Sequence, residues 1–181
     1  MRSYKNINVV GTSASGKSTF SKALAAKLNV QYIEMDQLFW KPNWEESNSS
    51  EFFPKIEAAI SKDGWVLDGN YSRTSSLKWS KVNTIVWIDY SLIRTIFQAF
   101  KRAIQRILSK QEIWPNTGNI ESFQKTFLSR KSIILWTLKN YHSNRKKYVE
   151  IMTSAKYSHI DFVRLNSPKQ AKEFIAESIL K

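Results

Sequence analysis

The chain has 181 residues, of which 42% are apolar, enough to bury one core and form a single domain. It contains no cysteine and two histidines, which excludes disulfides, thiolate chemistry and metal centres built on cysteine or many histidines. Its net charge of +13 points to a polyanionic partner, and no stretch approaches the ~20 apolar residues of a spanning helix, so we expect a soluble, cytoplasmic protein without membrane contact.

The first pattern along the chain is a glycine-rich loop between a predicted strand over residues 5–10 and a predicted helix over residues 16–28. Residues 11–18 read GTSASGKS and match the pattern G-x-x-x-x-G-K-[ST] at every fixed position. Gly11 and Gly16 permit a tight turn and a close approach of backbone to an anion. The sequence therefore predicts a site for nucleotide phosphates at this helix N-terminus.

The residues of this loop have distinct predicted roles. Lys17 is expected to reach the β- and γ-phosphates of ATP, and the hydroxyl of Ser18 to ligate Mg²⁺. The remaining predicted phosphate contacts, besides Gly11, are Ser13, Ala14, Ser15, Gly16 and Thr19. The alternative is a Gly/Ser turn that only caps a helix.

The next segment predicts a strand over residues 30–35 that ends in Asp36. Pro42 argues against a continuous helix after it. Trp40 and Trp44 flank this proline, and they are expected either to form a wall for a flat substrate ring or to pack locally. Turn residues then precede a helix predicted over residues 51–60.

Two further apolar runs predict buried strands, residues 65–68 ending in Asp68 and residues 84–89 ending in Asp89. Strands alternating with helices predict an α/β fold with a parallel sheet and crossover helices. Ligands of such sheets lie beyond the carboxyl ends of the strands, so Asp36, Asp68 and Asp89 are all expected near the phosphate loop.

These carboxylates receive different predicted roles. Asp68 is expected to hold Mg²⁺ directly or through water, as phosphoryl transfer requires. Asp36 is expected to accept a hydrogen bond or a proton from the attacking oxygen of an acceptor. An aspartate after a strand also commonly caps the following loop, and we favour that reading for Asp89, before a helix that starts near residue 91.

The second half of the chain predicts a helical insert. Apolar residues at spacings of three and four predict a helix of about seventeen residues from residue 91, namely Ile93, Ile96, Phe97, Phe100, Ile104, Ile107 and Leu108. Residues 114–119 break it, and further helices are predicted over residues 120–140 and 143–155. A last strand over residues 159–165 precedes an S-x-x-Q capping pattern at residues 167–170. This pattern opens a C-terminal helix whose inward face is predicted to carry Ala171, Phe174 or Ile175, and Ile179.

Positive charge is concentrated in this insert. Residues 94–147 contain twelve Lys or Arg and two Glu, a net charge of +10. The partner of such a segment is expected to be nucleotide phosphate or nucleic acid, although most of the lysines fit a solvated basic face. Arg73, Arg102 and Arg106 are candidates to clamp phosphate oxygens, because a planar guanidinium binds oxyanions bidentately.

Several motifs together resemble a known family. These are GTSASGKS at residues 11–18, Asp36 with LFWKPNW at residues 38–44, WVLDGNYSR at 65–73, VWID at 86–89 and VRLNSP at 163–168. In order and spacing they resemble the adenylate-kinase-related proteins labelled DNA topology modulation (FlaR-type) proteins, a group of P-loop nucleoside-monophosphate-kinase-like proteins. The resemblance implies a three-layer P-loop NTPase fold with a five-stranded parallel sheet, an acceptor-binding segment at about 36–62 and a helical lid at about 92–145.

The resemblance also implies roles for single residues. Asp68 resembles a Walker-B acid, Arg73 the arginine that contacts acceptor phosphate, and Arg102 with Arg106 the lid arginines. Ser167 would lie near the adenine. This chain reads D-G-N-Y-S-R over residues 68–73, one residue longer than the related kinase motif and without its proline, so an AMP-type acceptor need not occupy the same place.

These features predict an ATP- and Mg²⁺-dependent phosphotransferase that moves the γ-phosphoryl group to a small acceptor, with a nucleoside monophosphate as one candidate. A nucleotide-binding regulator that binds DNA or RNA through its basic insert is the alternative. A plain NTPase without an acceptor is a third hypothesis. The sequence predicts no oligomeric state and does not name the acceptor.

Overall fold

The computed structural model describes residues 4–121 and 133–179, with side chains given from residue 138 in the second range. Five parallel strands form one sheet in the order β2-β3-β1-β4-β5. The strands are β1 (Asn6–Gly11), β2 (Gln31–Glu34), β3 (Trp65–Asp68), β4 (Thr84–Ile88) and β5 (Asp161–Leu165). The helices are α1 (Lys17–Leu28), α2 (Met35–Phe39), α3 (Ser49–Ala59), α4 (Ser75–Trp79), α5 (Leu92–Ser109), α6 (Ile133–Thr153) and α7 (Pro168–Glu177).

The central strands are buried on both faces, which is why they read as continuous apolar runs. On one face Trp65 and Leu67 of β3 pack with side chains of α3, α4 and α6. On the other face Val66 of β3 packs with Leu24 of α1 and Ala171 of α7. The alternation of neighbouring residues between two cores produces the predicted three-layer α/β architecture.

The strand register brings the chemical groups to one edge of the sheet. Val9 pairs with Asp68, and Gly11 pairs with Ile88, so the phosphate loop leaves β1 beside the end of β3 and the end of β4. The α5 helix follows β4 at the same edge. This edge is therefore where the predicted ligand site must lie.

The observed caps of the helices largely match those predicted from the sequence. Asn48 and Glu51 form a capping box at the start of α3, with the Asn48 Oδ1 accepting from the Glu51 N–H at 3.0 Å. The Ser167 hydroxyl caps α7 by accepting from the Gln170 N–H at 3.3 Å. The Gln170 side chain accepts from the Asn166 N–H at 2.7 Å, one residue before the position that the pattern predicts.

Two predicted boundaries are wrong. The strand predicted to end in Asp36 stops at Glu34, because its only partner β3 ends at Asp68, opposite Glu34, and the chain turns into α2. Asp36 therefore lies in the first turn of a short helix and not at a strand end.

The predicted helix pair over 120–140 and 143–155 is also wrong. One uninterrupted helix, α6, covers residues 133–153, and Ile120 forms an isolated bridge with Glu112. Between its ends, the side chain of Tyr141 is buried and its hydroxyl donates to the Tyr90 carbonyl at 2.9 Å, which ties this part of the helix to the end of β4. Residues 122–132 lie outside the described residues.

The α5 helix is present as predicted, but its apolar stripe faces away from the core. The large side chains on this stripe are exposed, namely Ile93, Phe97, Phe100, Ile104 and Leu108. The buried positions carry the small residues Thr95, Ala99 and Ala103, which let the helix approach the sheet edge closely. Ile179, predicted to face inward after α7, is 49% exposed.

Within the described ranges, none of the helices has the length and apolar content that crossing a membrane would require.

Candidate active site

The phosphate loop has a backbone that only glycine permits at two positions. Gly16 has φ of +92°, and Gly11 has φ of +156°. A Cβ on Gly11 would lie 2.7 Å from the Ile88 carbonyl oxygen and 2.8 Å from the Ser15 hydroxyl oxygen, so a side chain there requires the loop to shift. The Ser15 hydroxyl is buried and, among the described residues, has no hydrogen-bond partner. The loop is thus a tight cradle with a polar atom turned inward.

Beside the loop lies the buried carboxylate of Asp68, which is 3% exposed. Its Oδ2 accepts from the Tyr32 hydroxyl at 3.2 Å. Burial raises the pKa of this carboxyl, while the nearby Lys17 ammonium and the Ser18 hydroxyl lower it. Asp36 and Glu34 raise the pKa further by repulsion. The structure therefore brings Lys17, Ser18 and Asp68 together, as the sequence predicted.

A cavity of about 420 Å³ opens over the loop and is closed on its other side by α5. It is lined by Lys17, Ser18 and Thr19 of the loop and by Lys101, Arg102 and Arg106 of α5. Such a cluster of cations opposite a helix N-terminus favours a multiply charged anion.

The two predicted clamp arginines of α5 differ in their contacts. Arg102 donates to the Ser13 hydroxyl at 3.4 Å, and its Nε is buried without a partner among the described residues. Burial lowers the pKa of Arg102, and the neighbouring Arg106 adds to this shift. Arg106 forms an ion pair with Glu121 at 3.3 Å. Arg102 is therefore poised over the phosphate loop, while Arg106 is held at the cavity wall.

Asp36, in the first turn of α2, accepts a short hydrogen bond. The Tyr71 hydroxyl donates to its Oδ1 at 2.6 Å, and burial followed by the charge of Asp36 raises the pKa of Tyr71. The Arg73 guanidinium lies 5.1 Å from the Phe39 ring centroid and 5.4 Å from that of Phe52. Asp36 and Arg73 thus both lie close to Tyr71, and the Arg73 guanidinium donates to the Ser47 carbonyl at 3.2 Å.

Trp40 and Trp44 contact a third tryptophan, Trp114, from a distant part of the sequence. Trp40 and Trp114 stack with their centroids 6.2 Å apart at 14°, and Trp44 meets each of them edge-on at 5.8 Å. The Trp114 indole N–H donates to Glu34 Oε1 at 3.1 Å. Local packing of Trp40 and Trp44 is thus observed, whereas the predicted contact of Trp40 with substrate stays a prediction.

The side-chain amide of Asn119 also links the segment around residues 114–119 to the segment around residues 40–44. Its Oδ1 accepts from the Trp44 N–H at 2.8 Å, and its Nδ2 donates to the Lys41 carbonyl at 2.9 Å. Sequence reasoning found neither Asn119 nor Trp114, since their partners are more than seventy residues away and no local pattern marks them.

Two residues at this edge have other roles in the structure. Asp89 accepts from the Arg164 Nε at 2.8 Å and forms an ion pair with Arg145 at 3.2 Å, so it does not cap α5 as predicted. Ser91 supplies that cap. Ser167 lies just beyond the carboxyl end of β5, and its predicted position near an adenine stays a prediction.

The residues fit a magnesium nucleotide. The glycine cradle, the inward-facing Ser15 hydroxyl and the cationic cavity suit the phosphates. In the described part of the chain no group of three or more His, Cys, Asp or Glu is arranged to hold a metal ion. A single carboxylate, Asp68, with the Ser18 hydroxyl suits Mg²⁺, which in kinases is bound by one or two protein groups together with substrate phosphates.

No family model matches the sequence. A curated shikimate kinase from Sulfurihydrogenibium sp. (strain YO3AOP1) is 32% identical over 160 residues, covering 79% of this chain and 89% of that protein. The chain belongs to the shikimate kinase family. A second shikimate kinase, from Persephonella marina (strain DSM 14350 / EX-H1), is 28% identical over 144 residues, covering 71% of this chain and 83% of that protein.

Solved structures of such kinases share this fold. A shikimate kinase from Acinetobacter baumannii in complex with shikimate has a TM-score of 0.56 at 13% identity, covering 96% of this chain and 90% of that one. A gluconokinase from Sinorhizobium meliloti 1021 has a TM-score of 0.52 at 14% identity, with coverages of 97% and 94%. This member of the shikimate kinase family is therefore a P-loop kinase, and P-loop kinases use ATP and Mg²⁺.

Below the active-site edge, this shikimate kinase family member buries an amine that sequence reasoning missed. Lys78 in α4 has no exposed surface, and its Nζ donates to the Asn70 carbonyl at 2.6 Å and to the Gly69 carbonyl at 3.3 Å. Burial lowers the pKa of Lys78 to about 7, and the charge of Lys147 adds to the shift. No pattern in the sequence distinguishes this lysine from exposed ones.

The lowered pKa of Lys78 predicts a stability that depends on pH. Between pH 7 and about 10 the unfolded chain binds a proton at this lysine that the folded chain does not, so the free energy of unfolding should rise with pH across that window. Urea unfolding at several pH values should show a smaller rise for Lys78→Met than for the wild type. Equal slopes in both proteins would mean that Lys78 titrates normally.

Proposed function

We propose that the protein transfers the γ-phosphoryl group of ATP to a hydroxyl of a small acceptor that binds between the phosphate loop and Asp36. The proposal is supported above all by the proximity of Lys17 and Asp36 to the buried carboxyl of Asp68, because the charge of Lys17 lowers the pKa of that carboxyl and the charge of Asp36 raises it. A phosphoryl donor held by Lys17 would therefore face an acceptor held near Asp36. In-line transfer requires the two to face each other in this way.

The proposed roles follow from the contacts. Bound Mg-ATP would supply the phosphoryl group, with the metal neutralising phosphate charge. Lys17 would hold the terminal phosphates, and Ser18 with Asp68 would hold the metal. Asp36, oriented by the Tyr71 hydroxyl, would accept the proton of the acceptor hydroxyl. Arg102 would add positive charge beside the transferred group from the α5 side.

The acceptor is proposed to be a small hydroxylated molecule. Both curated relatives are named as kinases of shikimate, and the aromatic and cationic surface around Tyr71 and Arg73 suits a compact hydroxylated acid. A nucleoside monophosphate is the second acceptor class. ADP release from ATP, measured with shikimate, gluconate and nucleoside monophosphates in turn, tests the proposal. ATP hydrolysis that no added acceptor stimulates would contradict it and support a plain NTPase.

We also propose that residues 36–62 form the acceptor segment and residues 92–145 a lid. Within the described part of the insert, Trp114 and Asn119 contact Trp40, Trp44 and Lys41, which links the two segments. Such contacts can exclude water during transfer.

The narrower FlaR-type affiliation and the nucleic-acid role stay predictions. Lys101, Arg102 and Arg106 line the cavity over the phosphate loop, so binding of a nucleotide accounts for part of the basic charge of the insert. Binding to duplex DNA with sub-micromolar affinity and a steep salt dependence would support the regulator.

Replacing Arg73 with alanine tests the acceptor side. The acceptor KM is expected to rise roughly tenfold or more, since a charge-assisted contact contributes about 1.5–3 kcal/mol, while the ATP KM changes little. Steady-state kinetics with each substrate varied in turn measure both constants. Lys5→Ala is the control, because it removes an exposed cation that pairs with Asp63 and lies directly before β1, at the opposite edge of the sheet. An equal rise of both KM values for Arg73→Ala would show that Arg73 does not act specifically on the acceptor.

A further inference from the structure

A chain of buried and partly buried hydrogen bonds connects α4 to the first residue of the phosphate loop. It starts at Lys78, whose amine reaches the carbonyls of Gly69 and Asn70 directly after β3. A neutral amine keeps two N–H donors, one for each carbonyl, so the contacts persist whether or not the lysine is charged. Leaving the buried Gly69 carbonyl and the partly buried Asn70 carbonyl without donors would be costly, which fixes this short segment against α4.

The second link is the side chain of Asn70. Its Oδ1 accepts from the Gly11 N–H at 3.0 Å, and its Nδ2 donates to the Gly11 carbonyl at 2.8 Å. The amide therefore pairs with both backbone groups of the residue at which β1 becomes the phosphate loop. These two bonds add to the pairing of Gly11 with Ile88 of β4 in fixing the position of Gly11.

A parallel set of contacts holds the same segment from β1. The Asn8 Nδ2 donates to the Gly69 carbonyl at 3.2 Å and to the Leu67 carbonyl at 2.9 Å, and its Oδ1 accepts from the Trp79 indole N–H at 2.9 Å. Asn8 is completely buried. Gly69 is thus fixed from two sides, and Asp68 precedes it directly in the chain.

We propose that Lys78 and Asn70 are positioning residues that set the phosphate loop relative to Asp68, with Lys78 acting through Asn70. Neither side chain lines the cavity over the loop in the described structure, so both act on nucleotide only through backbone. The inference rests on the proposed use of this loop and of Asp68 for Mg-ATP. Its consequence is that α4, remote from the phosphates, contributes to nucleotide affinity.

The experiment is a double-mutant cycle on the full-length chain with Asn70→Ala, Lys78→Met and the double variant. Calorimetric titration with Mg-ATP gives the Kd of each, and thermal unfolding without nucleotide gives its stability. We expect Asn70→Ala to weaken Mg-ATP binding at least tenfold while the protein stays folded. Lys78→Met should weaken it by a similar or smaller factor, and the double variant should be no worse than Asn70→Ala.

Lys81→Met is the matched control, since Lys81 is an exposed residue whose amine donates to the Ile60 carbonyl at 3.4 Å, and this variant should bind Mg-ATP as the wild type does. A merely structural role would lower the unfolding temperature of both variants and leave the Kd unchanged, which would overturn the inference. If the losses of Mg-ATP affinity in the two single variants add up in the double variant, Lys78 does not act through Asn70. If Lys78→Met fails to fold, Asn70→Ala decides alone. A wild type without Mg-ATP affinity would overturn the proposed function as well, whereas normal binding by Asn70→Ala overturns only this inference.

Discussion

Lys17→Met is expected to lower kcat/KM by about a thousandfold, the loss typical of removing one preorganised charge from a transition state. The ammonium of Lys17 lies close enough to Asp68 to lower the pKa of that carboxyl, and in the proposed mechanism it holds the terminal phosphates of ATP beside the metal. Methionine preserves the length of the side chain and removes the charge. The pKa of Asp68, already raised by burial, should rise further.

The same variant should lose its stabilisation by nucleotide. Wild-type protein with Mg-ATP at a hundred times its Kd gains about 2.7 kcal/mol in the free energy of unfolding. Lys17→Met should gain little at the same concentration, and its unfolding without nucleotide should resemble that of the wild type. Lys27→Met is the control, because it removes an exposed lysine in the last turn of the same helix. Turnover at the wild-type rate in Lys17→Met would show that phosphate is held elsewhere.

The conformation of the phosphate loop could be predicted from the sequence because its determinants are local. Gly11, Gly16, Lys17 and Ser18 lie within eight residues, and their conformation follows from backbone sterics and a helix N-terminus. The sheet was also predictable, since strands buried on both faces produce continuous apolar runs. In contrast, the end of β2 was set by the length of its neighbour β3 and could not be derived from its own residues.

The missed residues depend on contacts between distant segments. Asn119 and Trp114 reach partners more than seventy residues away, and the burial of Lys78 depends on how α4 packs under the loop after β3. The outward stripe of α5 has a similar cause. The polar residues Gln98 and Arg102 of α5 line the cavity, and the small residues Thr95, Ala99 and Ala103 of α5 are buried. The apolar stripe of α5 is therefore left facing outward. Periodicity locates a helix but does not choose which face is buried.

Asp36→Asn is expected to lower kcat by a factor of about 10² to 10⁴, the usual contribution of a general base. The asparagine oxygen can still accept from the Tyr71 hydroxyl, so the local structure should persist, but the side chain no longer takes up a proton. The KM for ATP should stay near the wild-type value, because the phosphate loop is untouched. Steady-state and single-turnover kinetics with the acceptor identified by ADP release measure these constants.

Tyr71→Phe separates proton transfer from positioning. This variant removes the donor to Asp36 at 2.6 Å and keeps the ring that packs against Phe39 and Phe52. If Asp36 takes the acceptor proton and Tyr71 only orients it, Tyr71→Phe should retain far more activity than Asp36→Asn. Equal losses would instead assign the chemistry to the hydrogen-bonded pair. Undiminished kcat in Asp36→Asn would exclude Asp36 as the base, and the acceptor hydroxyl would then have to lose its proton directly to the transferred phosphoryl group or to water.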